Sequence, residues 1–115
     1  MDEDSFYTMV REQVVDDILA RRMKQLAKHP AVKDDQYTDG ALALVAGILA
    51  VNREGPLPKE GHMLLALWPW PDWPFPFSHT AEDNLIDAAA LIIAELERRY
   101  RAQASQKAII PEGDQ

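Results

Sequence analysis

Five aspartates have the types and spacing to do chemistry. Asp34, Asp35 and Asp39 stand just before an apolar run, and Asp83 and Asp87 are four residues apart. On a helix that spacing puts both carboxylates on one face. Carboxylates that converge bind Mg²⁺ and, through it, the phosphates of a nucleotide. The competing use is architectural: Asp39 caps one helix, Asp83 starts another, and the remainder are solvated.

The other candidates carry less pattern. His29, His62 and His79 show no i,i+4 spacing of a metal site. His29 reads as a cation at a helix end and His79 as a residue before a cap. Residues 68–77, WPWPDWPFPF, alternate five aromatics with four prolines and one aspartate. Trp68, Trp70, Trp73 and Phe75 could form a partner-docking surface, since Trp is enriched in binding hot spots. The segment could equally serve as a proline-rich ligand for an aromatic-lined groove. An exposed segment this apolar is a liability, so the alternative is a lid laid over the core. No nucleophile elbow, phosphate-cradling glycine loop or dinucleotide fingerprint occurs, and no catalytic residue is assigned.

Composition limits what these groups can be part of. The 115 residues suit one domain, residues 1–115, with a tail fraying from about 105. Cysteine is absent, which removes disulfides and thiolate metal sites and fits a reducing cytoplasm. The start, Met1-Asp2-Glu3-Asp4, lacks the basic character of a signal peptide. The apolar run Ala41–Val51 is shorter than the roughly 20 residues needed to span a bilayer. A cytoplasmic protein with no membrane partner is expected. A net charge of −7 disfavours direct nucleic-acid binding and favours a partner with a basic surface.

The elements that must position these residues read as helices. Residues 4–28 place Met9, Val10, Val14, Val15, Ile18, Leu19, Met23 and Leu26 close to a 3.6-residue period. Ser5 or Asp4 would cap this helix, and His29-Pro30 would stop it. Its exposed face would carry Arg11, Glu12, Asp16, Asp17 and Arg21. After a polar connection, Thr38 or Asp39 would cap a second helix over 40–52. That helix is apolar on every side, which predicts burial on all sides with the other segments wrapped around it. Gly47 within it predicts the close approach of a neighbouring helix. A loop over 53–60 and a short helix over 59–68 follow, then the aromatic–proline segment. Thr80-Ala81-Glu82-Asp83 opens the last helix, 80–104, in the manner of a capping box. Its stripe is Leu85, Ala89, Ile92, Leu96 and Tyr100, with Glu95–Arg99 and Glu97–Arg101 as i,i+4 pairs. The fold class is therefore all-α: a small bundle of three main helices plus one short helix, covered by an irregular Trp/Pro-rich segment.

Three stretches also resemble a known family. These are Asp34-Asp35-Gln36-Tyr37-Thr38-Asp39-Gly40 with Leu42-Ala43, then Trp68-Pro69-Trp70, then residues 84–98, NLIDAAALIIAELER. In that order they are similar to small accessory proteins of tailed phages and prophages of Gram-negative bacteria. The chain departs from the pattern at Lys33, where members carry His or Glu. It departs again at Glu82, Asp83 and Asp87, where members carry basic residues. The resemblance implies a phage gene expressed in a bacterial cytoplasm, acting by binding a host macromolecule. Inhibition of a host defence or regulatory system is one form of that action, and it needs no cofactor. Exposed apolar surface near residues 68–77 or on the first helix would also support a homodimer. The alternative is a Mg²⁺-dependent all-α nucleotide pyrophosphohydrolase or nucleotide-binding protein. Asn84-x-x-Asp87 and Glu12-x-x-x-Asp16 loosely resemble the acid patterns of such enzymes.

Overall fold

The computed structural model describes residues 1–51, 66–71 and 80–114, with side chains as far as Lys107. All regular structure among them is helical, as expected of an all-α chain. Helix α1 spans Glu3–Lys28, α2 spans Ala31–Asp34, α3 spans Ala41–Val51 and α4 spans Ala81–Asp114. The expected loop over 53–60 and most of the helix over 59–68 lie outside the described residues. A short helix that is described, α2, falls within the connection after Pro30.

Local chemistry sets the helix ends. Asp2, rather than Ser5 or Asp4, caps α1: its Oδ1 accepts from the Ser5 backbone N–H at 2.7 Å. The Ser5 N–H bond holds the Asp2 carboxyl below the usual carboxylate range. His29 closes α1 in an extended conformation ahead of Pro30. Gly40 takes φ +87, a left-handed backbone that L side chains rarely adopt, and α3 begins at the next residue. There the Ala41 N–H donates to Asp39 Oδ1 at 3.1 Å, as the sequence predicts for Asp39. At α4 the Asp83 N–H donates to Thr80 Oγ1, and the Thr80 hydroxyl donates to Asp83 Oδ2, both at 3.1 Å. Helix α4 then continues through Ser105 to Asp114, where a frayed tail is expected. Ala, Gln and Lys between 102 and 108 are good helix formers, which accounts for the extension.

Helix α4, and not α3, organises the molecule: it packs against α3, α1 and α2. The core joins Leu42, Val45, Ala46, Ile48 and Leu49 of α3 to Ala88, Leu91 and Ala94 of α4. The alanines let the two helices approach closely. Helix α3 is not enclosed, because Ala43, Leu44, Gly47 and Val51 face outward. A Cβ built on Gly47 meets nothing within 4 Å, so none of the described helices crosses there.

Two apolar stripes turn out to face away from the body. Leu85, Ile92, Leu96 and Tyr100 of α4 are exposed, while Asn84, Asp87, Ala88, Leu91, Ala94 and Glu95 are buried. Asp87 and Glu95 can occupy the inner face because arginines pair with them there. Helix α1 buries only Arg22 and Gln25, both in its last third. Its apolar residues from Phe6 to Leu19 are mostly exposed, and Arg21, expected on the outer face, is partly buried.

Candidate functional site

The five aspartates are held by arginines and a backbone cap. Arg21 of α1 donates from Nη1 to Asp87 Oδ1 at 2.6 Å and from Nη2 to Asp83 Oδ1 at 3.2 Å. Asp83 and Asp87 thus share a face of α4, as their spacing predicts, but a guanidinium lies between them. Such a group brings the positive charge that a divalent ion would otherwise supply. The bond from Arg21, with help from the Thr80 hydroxyl, holds the Asp83 carboxyl below the usual range. The bond to Asp87 likewise raises the Arg21 guanidinium.

Asp34 and Asp35 part company despite being adjacent. Asp34 ends α2 inside the protein and accepts from Arg22 Nη2 at 3.0 Å, both groups being buried. Arg22 also donates from Nε to Glu97 Oε1 at 2.8 Å. Asp35 points outward, and its Oδ1 accepts from Arg101 Nη2 at 2.8 Å. Arg101 further donates to the Ala31 carbonyl oxygen at 3.4 Å. Glu97 and Arg101 therefore pair with α1 and the α2 end rather than with each other. The Glu95–Arg99 pair does form, at 2.8 Å, and Arg98 adds two more bonds to the same carboxylate. Arg98 first, with Arg99 behind it, pulls Glu95 down to about 2. Among the described residues no group of three or more His, Cys, Asp or Glu side chains is placed to hold a metal. His62 and His79 lie outside the described residues.

The aromatic segment is described only at its start. Trp68 and Trp70 are half-buried and pack on the α3–α4 core beside Tyr37. The Trp68 indole donates from Nε1 to the Trp70 carbonyl oxygen at 3.0 Å. Trp68 and Trp70 meet edge to face at 6.3 Å, and Tyr37 stacks obliquely on Trp70 at 5.2 Å. These two rings lie over the core in the way a lid would. Trp73 and Phe75 lie outside the described residues.

All four helices and this segment line a half-open cavity of about 140 Å³, with Gln25, Tyr37, Leu42, Trp70 and Leu91 among its walls. Gln25 is 8% exposed, and neither its amide oxygen nor its amide nitrogen has a hydrogen-bond partner. A buried polar group left unpaired costs about 1–3 kcal/mol. The sequence does carry a signal for Gln25: it lies seven residues after Ile18, a polar residue on the inward face of an amphipathic helix.

The exposed apolar faces complete the inventory. Tyr7, Val10 and Val14 continue along α1 the face on which Ile18, Arg22 and Gln25 meet the body. They are 57%, 43% and 51% exposed. Among the described residues no helix is long and apolar enough to cross a membrane. Comparison with protein-family models, curated proteins and solved structures returns no similar protein.

Proposed function

We propose that the protein is a non-catalytic accessory protein that docks on a host macromolecule through the apolar face of α1. The observation that supports this reading is the continuity of that face. The residues that meet the body near Gln25 are followed, towards the N-terminus, by Val14, Val10 and Tyr7, which are not buried by any of the described residues. Anchors at i, i+3 and i+7 suit a helix laid into an apolar groove. An uncovered stripe of this kind marks an interaction surface more often than an ordinary solvent face.

Charge narrows the partner. The first 17 residues carry Asp2, Glu3, Asp4, Glu12, Asp16 and Asp17 against a single Arg11. A groove with a basic rim is therefore the complementary surface. This reading fits the phage accessory proteins that the sequence resembles, since many such accessory genes act by binding host proteins. Trp73 and Phe75 remain candidates for a second contact. The Mg²⁺ reading has no such support, since each of its aspartates is engaged by an arginine or a backbone N–H.

The test compares wild type with the double variant Val10→Glu/Val14→Glu as bait in host lysate. The expected result is a stoichiometric partner retained by wild type, lost from the folded variant, and released as salt rises. Equal retention by both would remove α1 from the interface. A wild type that light scattering finds to be a dimer joined along α1 would assign the face to a second copy.

A further inference from the structure

We infer that the cavity between α1, α3 and α4 is a binding site for a single-ring nucleobase, read by the Gln25 amide and stacked against Tyr37 and Trp70. This site is separate from the apolar face of α1 and does not depend on how that face is used.

The inference begins with Gln25. A primary amide presents one donor edge and one acceptor side by side. Here both are removed from solvent and neither is bonded, while the residue lines a half-open cavity. The complement of such an edge is another adjacent donor and acceptor, as in the lactam of uracil or the amidine of cytosine. Glutamine reads nucleobase edges in this two-bonded fashion.

The walls specify the rest of the ligand. Tyr37 and Trp70 are 5.2 Å apart, centroid to centroid, with planes at 43°. Leu42 and Leu91 add apolar surface. Aromatic platforms of this kind hold the flat face of a base. The volume of about 140 Å³ is close to the roughly 150 Å³ of an apolar cavity that admits one benzene ring. One six-membered heterocycle therefore fits, and a substituent on it can leave by the open side.

Charge sets what can be attached to that ring. Arg22 and Asp34 line the cavity but neutralise each other through their buried bond. Exposed Lys33 and half-buried His29 line it as well. An anionic tail leaving the cavity on that side is compatible with these groups. Free base and nucleoside 5′-monophosphate are therefore both arms of the test.

The experiment is isothermal titration of the full chain with uracil, cytosine, and uridine and cytidine 5′-monophosphates. Benzene serves as an apolar control of the same size. The expected result is saturable 1:1 binding of at least one base or its monophosphate, with benzene binding at least tenfold more weakly. Gln25→Met keeps the volume and removes both amide groups. It should fold with an unchanged or higher Tm and lose at least tenfold in affinity for the base. A Tm well below wild type would show that the amide serves the fold, and would overturn the inference. So would unchanged affinity in Gln25→Met, benzene binding as well as the bases, or no binding of any probe by wild type.

Discussion

Asp34 and Asp35 are neighbours in sequence, and the difference between them separates an architectural account of the acids from a metal-binding one. Asp34 neutralises a buried arginine, so Asp34→Ala leaves Arg22 with only the half-exposed Glu97. Breaking a buried pair from one side costs about 3–5 kcal/mol. Asp35→Ala removes an exposed contact to Arg101 and should cost less than about 1 kcal/mol. Chemical denaturation of the two variants checks this, and equal losses would contradict the assignment. Glu95 supplies a pH signature at the same scale. Its folded carboxyl sits at about 2, below its value in the unfolded chain. The resulting stabilisation is complete above about pH 4.5 and is lost as pH falls towards 2. Arg99 is exposed, and water screens its share of the interaction, so the worth is on the order of 1 kcal/mol. Glu95→Gln should therefore be less stable at pH 7, and its stability should fall less steeply between pH 4.5 and 2.5.

Among the elements, several helix ends were readable and the helix faces were not. His29-Pro30, Asp39 and Thr80-x-x-Asp83 each act within a few residues, so local pattern locates them. The inner face of α4 depends on Arg21 and Arg22, which lie 62 to 75 residues from their partners Asp83, Asp87 and Glu97. Nothing local in the sequence distinguishes those arginines from solvated ones at a helix end. With Asp87 drawn inward by Arg21, and Glu95 buried beside Arg98 of its own helix, the apolar stripe of Leu85, Ile92, Leu96 and Tyr100 is turned outward. Helix α3 shows the same limit, since an apolar composition does not reveal which side a neighbour covers. The same open side makes Gly47 a test at this scale. Gly47 is exposed in mid-helix, and an added Cβ meets nothing. Gly47→Ala should stabilise the fold by about 0.5–1 kcal/mol and raise Tm by about 4 °C. A fall in Tm would show that another segment packs on that face.

The molecule as a whole is more extended than its length requires. Its radius of gyration is 17.5 Å, against about 13 Å for a compact chain of this size. Helix α1 contributes to this, because only its last third lies on the body. If the outer part of α1 is a contact surface rather than core, charging it should leave the fold intact. The melting temperature of Val10→Glu/Val14→Glu should stay within about 3 °C of wild type, as for exposed positions generally. The most direct measurement is hydrogen exchange of the isolated protein at dilute concentration, followed by the same measurement on the captured complex. In the free protein, amides from Phe6 to Val15 should exchange close to the rate of a fraying helix. Those from Val45 to Leu49 of α3 should be protected to the level of global unfolding. In the complex, the Phe6–Val15 amides should gain protection while those of α3 stay unchanged. Protection of Phe6–Val15 equal to that of α3 in the free protein, or no gain on capture, would contradict the assignment of α1 as the docking surface.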